Sequence, residues 1–539
     1  MRQFLSLLTT EVLISGLLLN PGLVRAQSTA APSSSAVTPI RHVVVIFQEN
    51  VSFDHYFATY PNASNLDGEP AFHALATTPS VNGLAGPMLT SNPNMNGANG
   101  SAAANPFRLS RAQAATADQN HNYGPEQTAF HGGLMDLFPK MVGTAGPPPS
   151  GTPQFSTGAL VMGYYDGNTV TALWNYAQHF AMSDNSYNTN FGPSTPGAIN
   201  LISGQTNGVI NNLNGTGALA DGGGGTMTDI SDADPAGDVC STSTGEVFSM
   251  SGKNIGDLLN AAGVSWGFFS GGFDLTLTNA DGSTGCSRST TSMVTNTKKA
   301  DYIPHHQPFQ YYTSTANLKH TRPASAAMIG QAGDAANHQY DIHDFYDAIT
   351  AGNFPAVSYL KAPGYQDGHA GYSDPLDEQQ FIVHVINFLQ GTSEWAHTAV
   401  IVAYDDSDGW YDHQMSPIVN QSTGSADALL GPGTCGDGTT ALAGVNNNPH
   451  AQGRCGYGPR LPLMVISPWA RPNFVDHTVT DQTSILRFVE DNWLNGQRIG
   501  AGSFDAMANS INNMFDFSKS SKTKLMLDES SGQVVKRGQ

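Results

Sequence analysis

Two short acidic stretches stand where apolar runs stop. "HVVVIF" (42–47) passes through Gln48 into Glu49 and Asn50, and "TAVIVAY" (398–404) passes into "DDSDGWYDH", with Asp405, Asp406, Asp408, Asp412 and His413. Carboxylates brought together repel one another and resist ionisation unless a cation offsets them. Glu49, Asn50, Asp405 and Asp406 are therefore a candidate set for one divalent metal ion, and all-oxygen donors suit a hard ion such as Mg²⁺, Ca²⁺ or Mn²⁺. Both aspartates can face that ion only if the strand has ended by Asp405, because successive strand residues point opposite ways. Taken alone, "DDSDG" reads equally as a loop of solvated acids or an Asp cap on a turn; the matching Glu-Asn exit is what favours a site.

A candidate nucleophile lies in "NFGPSTPGAINLISG" (190–204). Gly192-Pro193 forces a turn, and Pro196 can open a helix, so Ser194 would present its hydroxyl beside free helix N–H groups that suit an anion. The plainer reading of such a Ser is an N-cap. Histidines occur in polar, turn-rich contexts: His121 in "DQNHNYGPEQ", His305 and His306 in "YIPHHQPF", and His369 in "YQDGHAGYSD". Imidazoles can donate hydrogen bonds to phosphoryl oxygens where Lys and Arg are scarce, here 23 in 539 residues. Such donors bind an anion best when charged, an argument for activity below about pH 6.5.

These residues need a scaffold that gathers distant segments. Apolar runs of strand length recur at 42–47, 264–270, 356–360, 398–404 and 461–467, and they are continuous rather than alternating. Helical patterns sit between them at 171–181, 254–263, 342–352, 378–391 and 481–494. That alternation predicts an α/β fold with a mostly parallel central sheet covered on both faces. In such a sheet, ligands bind beyond the carboxyl ends of the strands, which would bring the two acidic exits to one edge. Polar, Gly/Asn-rich stretches at about 60–115, 205–250, 271–300 and 415–456 read as loop-rich insertions.

The formal charge of −20 repels phosphate backbones and argues against nucleic acid as the partner. Residues 1–26 read as an export signal, with Arg2, an apolar stretch and the small-residue spacing Val24-x-Ala26; Glu11 is unusual inside it. Residues 27–38 form a flexible leader, 39–518 a catalytic domain and 519–539 a C-terminal tail. No later run is long and apolar enough to insert stably in a membrane. The expected location is periplasmic or secreted. Cys240, Cys286, Cys435 and Cys455 allow three disulfide pairings, of which 240–286 with 435–455 closes the shortest loops; no C-x-x-C spacing supports zinc.

"HVVVIFQENVSFDHYF", "GPSTPG", "IPHHQPF", "AYDDSDGWYDH" and the stretch from "GPRLPLMVIS" to "FVEDNW" together resemble the bacterial phosphoesterase family of acid phosphatases and non-haemolytic phospholipases C. The resemblance covers about residues 40–517. It implies an alkaline-phosphatase-like α/β fold with one metal at the strand ends. Glu49, Asn50, Asp405, Asp406 and Ser194 would be its ligands, Ser194 also the nucleophile that forms a phosphoserine. His121, His305, His306 and His369 would surround the phosphoryl group. The phospholipase branch usually shows Thr after "GP", then "PNR", and an Asp-Glu pair at the second acidic exit. Ser194, "PGA" and Asp405-Asp406 look more like the acid phosphatase branch. Arylsulfatases share the wider fold, but their C/S-x-P-x-R motif lacks its Arg here, where Ala198 stands. The expected substrates are small phosphorylated compounds or, in the alternative, phospholipid head groups. A rival from another class is an exported protein whose acidic turns hold a structural Ca²⁺, though the spacing lacks the glutamate of a calcium loop.

Overall fold

The computed structural model describes residues 36–144, 158–215, 217–220, 226–242, 244–436, 452–521 and 524–535. The export signal and most of the leader lie outside these residues. Eight strands form the main sheet: β1 His42–Gln48, β2 Ala181–Ser183, β3 Trp266–Ser270, β4 Gln339–Asp341, β5 Val357–Lys361, β6 Thr398–Tyr404, β7 Leu463–Ile466 and β8 Phe474–Asp476. Their spatial order is β4-β3-β5-β1-β6-β7-β2-β8. β7 alone runs against the others, pairing antiparallel with β6 and β2. The α/β class with a mostly parallel sheet is thus as expected. All five long apolar runs became strands; they are rich in β-branched and aromatic residues and, His42 apart, buried along the strand.

Eight helices matter for the site and its cover: α1 Phe53–Phe57, α2 Tyr123–Phe130, α3 Thr171–His179, α4 Ser194–Ser203, α5 Ile255–Ala262, α6 Ile342–Thr350, α7 Pro375–Gly391 and α8 Gln482–Trp493. Aspartates start three of them. Asp374 caps α7 by accepting from Leu376 and Asp377 N–H, and Asp341 and Asp481 complete capping boxes on α6 and α8. α4 packs with α5 and α8, while α7 packs with α3 and α6.

The insertions carry structure of their own. The 205–250 excursion holds a five-stranded sheet, and 271–300 ends in a hairpin of Ser289–Thr291 and Lys298–Ala300. Disulfides Cys240–Cys286 and Cys435–Cys455 tie them, the pairing expected. One boundary needs correction: residues set aside as a tail from 519 reach back onto α7. Leu525 and Leu527 are buried in the core. The side-chain amides of Gln390 and Asn387 pair with the backbone of these two leucines at 2.6–3.2 Å, in place of a neighbouring strand.

Candidate active site

The register of β1 decides the site. Gln48 pairs with Tyr404, so Glu49 and Asp405 leave the sheet side by side. On the other flank Ile46 pairs with Leu360, which delivers Lys361 to the same edge. Asn50 then turns with φ 61, Asp408 with φ 53, and the two exits close on each other. The Asn50 N–H donates to Asp405 Oδ1 at 2.9 Å, and its amide donates to Asp408 Oδ1 at 3.2 Å. The N–H groups of Asp406 and Asp408 donate back to Asp405 Oδ1 and Asp406 Oδ1 at 2.7 and 2.6 Å.

α4 brings the hydroxyl. Ser194 is its first residue, and its Oγ donates toward Glu49 Oε2 and Asp406 Oδ2, each 3.0 Å away. This approach requires Gly197, because a Cβ there would stand 2.1 Å from the Asp405 carbonyl oxygen. Glu126, on α2, holds both loops: Gly192 N–H donates to its Oε2 at 3.0 Å and Ser407 Oγ–H to its Oε1 at 2.7 Å.

The histidines line two flanks. His306 Nε2 lies 3.4 Å from Glu49 Oε2, and its ring meets that of His305 edge-on at 4.6 Å. His305 is farther out and faces Asp234 at 3.4 Å. His121 Nδ1 donates to Gln119 O at 2.9 Å and lies 3.1 Å from Asp408 Oδ1. The His369 ring is 6.0 Å from that of His121, with Nδ1–H donated to Ala370 O at 2.6 Å. The structure therefore brings Glu49, Asn50, Ser194, Asp405, Asp406, His121, His306 and His369 into one buried cluster, with His305 at its margin.

Electrostatics sort the groups. Burial and Asp405 hold the Glu49 carboxyl well above its usual range, against the pull of Lys361. Asp406 is raised in the same way by burial and Asp405, against the pull of His121. For Asp405 burial is outweighed, chiefly by Lys361, and its carboxyl is lowered. His121, His306 and His369 do not share one charge state. Burial lowers His306 well below its usual value, and it brings His369 down to about 4. For His121 burial also opposes charge, but Asp406 and Asp408 outweigh it and raise its pKa.

The donor set fits a hard divalent ion. Asn50 Oδ1 and Asp405 Oδ2 are buried without a hydrogen-bond partner. Such orphaned acceptors are costly unless a cation meets them. Asp408 Oδ2 is similarly unpartnered. Three residues escaped the sequence reading. Lys361, which bonds Glu49 Oε1, ends the apolar run 356–360 and obeys the same strand-exit rule as Glu49 and Asp405. Asp367, pushed to about 7 by burial, faces His306. Glu126 left no local signal.

The Phosphoesterase family model matches residues 40–494. Over 84% of its length the chain is 25% identical to a non-hemolytic phospholipase C of Pseudomonas aeruginosa, and the match covers 53% of that protein. A non-hemolytic phospholipase C of Burkholderia pseudomallei is 24% identical over 98% of the chain and 67% of its own length. Phospholipase C A of Mycobacterium tuberculosis is 23% identical over 85% and 74%. The chain thus spans about half the length of the Pseudomonas relative. Among solved structures, murine ectonucleotide pyrophosphatase/phosphodiesterase 5 aligns at 12% identity with a TM-score of 0.31, over 64% of this chain and 95% of that one.

Proposed function

This chain belongs to the phosphoesterase family, and on that premise we propose that it is a metal-dependent hydrolase acting on phosphomonoesters through a phosphoserine at Ser194. The observation that carries the reading is the Ser194 hydroxyl, buried at a helix start and shared between Glu49 and Asp406 at 3.0 Å each. Glu49, Asn50, Asp405, Asp406 and Ser194 would hold one divalent ion, which when bound supplies charge neutralisation and lowers the pKa of the serine hydroxyl. Either carboxylate can take the Ser194 proton as Oγ bonds to phosphorus and the bond to the ester oxygen breaks, and that proton passes on to the departing oxygen so that it leaves as the alcohol. Cationic His121, its Nδ1–H tied to Gln119, keeps a second N–H for a phosphoryl oxygen. Neutral His369 spends its one N–H on Ala370, so its bare Nε2 suits it to accept a proton from the water that cleaves the phosphoserine.

We propose export as well: two disulfides suit an oxidising compartment, and among the described residues no helix is long and apolar enough to cross a membrane. The second reading is a phospholipase C, favoured by the names of the curated relatives. Hydrolysis of nitrophenyl phosphate and of phosphatidylcholine, compared over about pH 4.5–8.5 with and without chelator, tests both. The expected outcome is chelator-sensitive monoester turnover, with Ser194→Ala slower by about a thousandfold or more. Preference for the lipid would replace the first reading by the second. Full activity of Ser194→Ala would remove the covalent step.

A further inference from the structure

A lysine outside the metal–serine cluster has no role in the reaction described above. Lys299 lies in the hairpin that closes the 271–300 insertion, and its Nζ stands 3.9 Å from the centroid of the Tyr372 ring. That ring stacks on His369 at 4.3 Å, and His369 in turn meets His121. A file of side chains therefore runs from Lys299 into the cluster. Several features aim the lysine inward. The Cys240–Cys286 disulfide and the Arg288 ion pair with Asp341, at 3.0 Å, fix the base of the hairpin. Gly364 lets its stem pass, since a Cβ there would stand 3.0 Å from Lys299 Cγ and 2.5 Å from the Ala300 carbonyl oxygen.

Among the described residues the Lys299 ammonium forms no ion pair, whereas adjacent Lys298 pairs with Asp281 at 2.6 Å. The carboxylates around this flank already have partners. Asp367 accepts from Tyr372 Oη–H and His369 N–H, Asp118 faces His121, and Asp234 faces His305. Half-buried beside the cluster, with an aromatic ring beneath it, Lys299 offers its charge to whatever enters. We infer that Lys299 is a specificity-determining residue for phosphomonoesters whose alcohol part carries a second anionic group, such as a carboxylate or another phosphate. This rests on the phosphomonoesterase reading. The same lysine disfavours a cationic choline group, because it covers the Tyr372 face that a quaternary ammonium would need and repels the like charge.

Matched substrate pairs test the inference: phosphoglycerate against glycerol phosphate, and fructose bisphosphate against fructose phosphate. The wild-type protein should favour the more anionic member by about five- to tenfold in kcat/KM, mainly through KM, and salt should reduce the ratio. Lys299→Met should bring the ratio near one, and Lys299→Glu should invert it. A wild-type ratio near one in both pairs overturns the inference while leaving monoester hydrolysis standing. So does a ratio that survives both substitutions, which would assign Lys299 to the hairpin alone. Absence of any monoester turnover by the wild type would overturn the underlying reading and the inference together.

Discussion

At the scale of single residues, the Ser194 hydroxyl matters less for its own chemistry than for what fixes it. Two carboxylates receive it, and Glu126 binds the turn before it and the loop that carries Asp406. Burial raises Glu126 to about 7, and both of its oxygens are in use. Glu126→Ala removes both of those acceptors, so both loops loosen. Turnover should fall by roughly ten- to a hundredfold with little change in KM, the pattern expected when orientation rather than binding is lost. Steady-state kinetics beside a chelator titration check this, since metal affinity should change far less than kcat. The Glu49-Asn50 and Asp405-Asp406 pairs stood out because each stands where an apolar run stops, and Ser194 by its Gly-Pro turn before a helix start. Lys361 follows an apolar run too, but a lysine there also reads as a strand end reaching for water. Glu126 was invisible, because its partners come from segments that only folding brings together.

At the scale of elements, α4 and the end of β6 meet closely at the site. Gly197 abuts the Asp405 carbonyl with no room for a methyl group. Gly197→Ala should therefore push the helix start from the acidic loop, costing about 1–3 kcal/mol of stability and lowering turnover at least about tenfold. Thermal unfolding and kcat, measured on the same preparation, separate the two effects. The long strands and five of the helices were readable from their patterns, with ends shifted by a few residues. β2, β4 and β8 were not: three residues each, they hold no period and owe their pairing to neighbours. The reversal of β7 was equally silent, since a buried strand has the same composition in either direction.

At the scale of the whole molecule, the fold stores protons. Burial raises Glu378 and Asp374 to about 8, Asp481 to about 6 and Glu490 to about 10. Tyr56 and Tyr404 both donate to Glu378, at 2.7 Å. A carboxyl raised on folding gives stability that is fully present below its unfolded pKa, near 4, and lost as pH rises through the folded value. Buried His55, lowered to about 3, works in the opposite sense, but only below about pH 6.5. Between about pH 6.5 and 8.5 the carboxyls decide, so the melting temperature should fall across that window. Glu378→Gln should flatten the slope in a calorimetric series, and a melting temperature that rises instead would refute the account.

The sheet's order also has a consequence in time. β1, the first strand made, occupies the centre, and its partners are Val357–Lys361 and Thr398–Tyr404. A growing chain therefore carries this apolar strand without its sheet partners until roughly two-thirds of the polypeptide exists. Contacts this remote in sequence close slowly and leave the early segment open to aggregation or to a chaperone's grip.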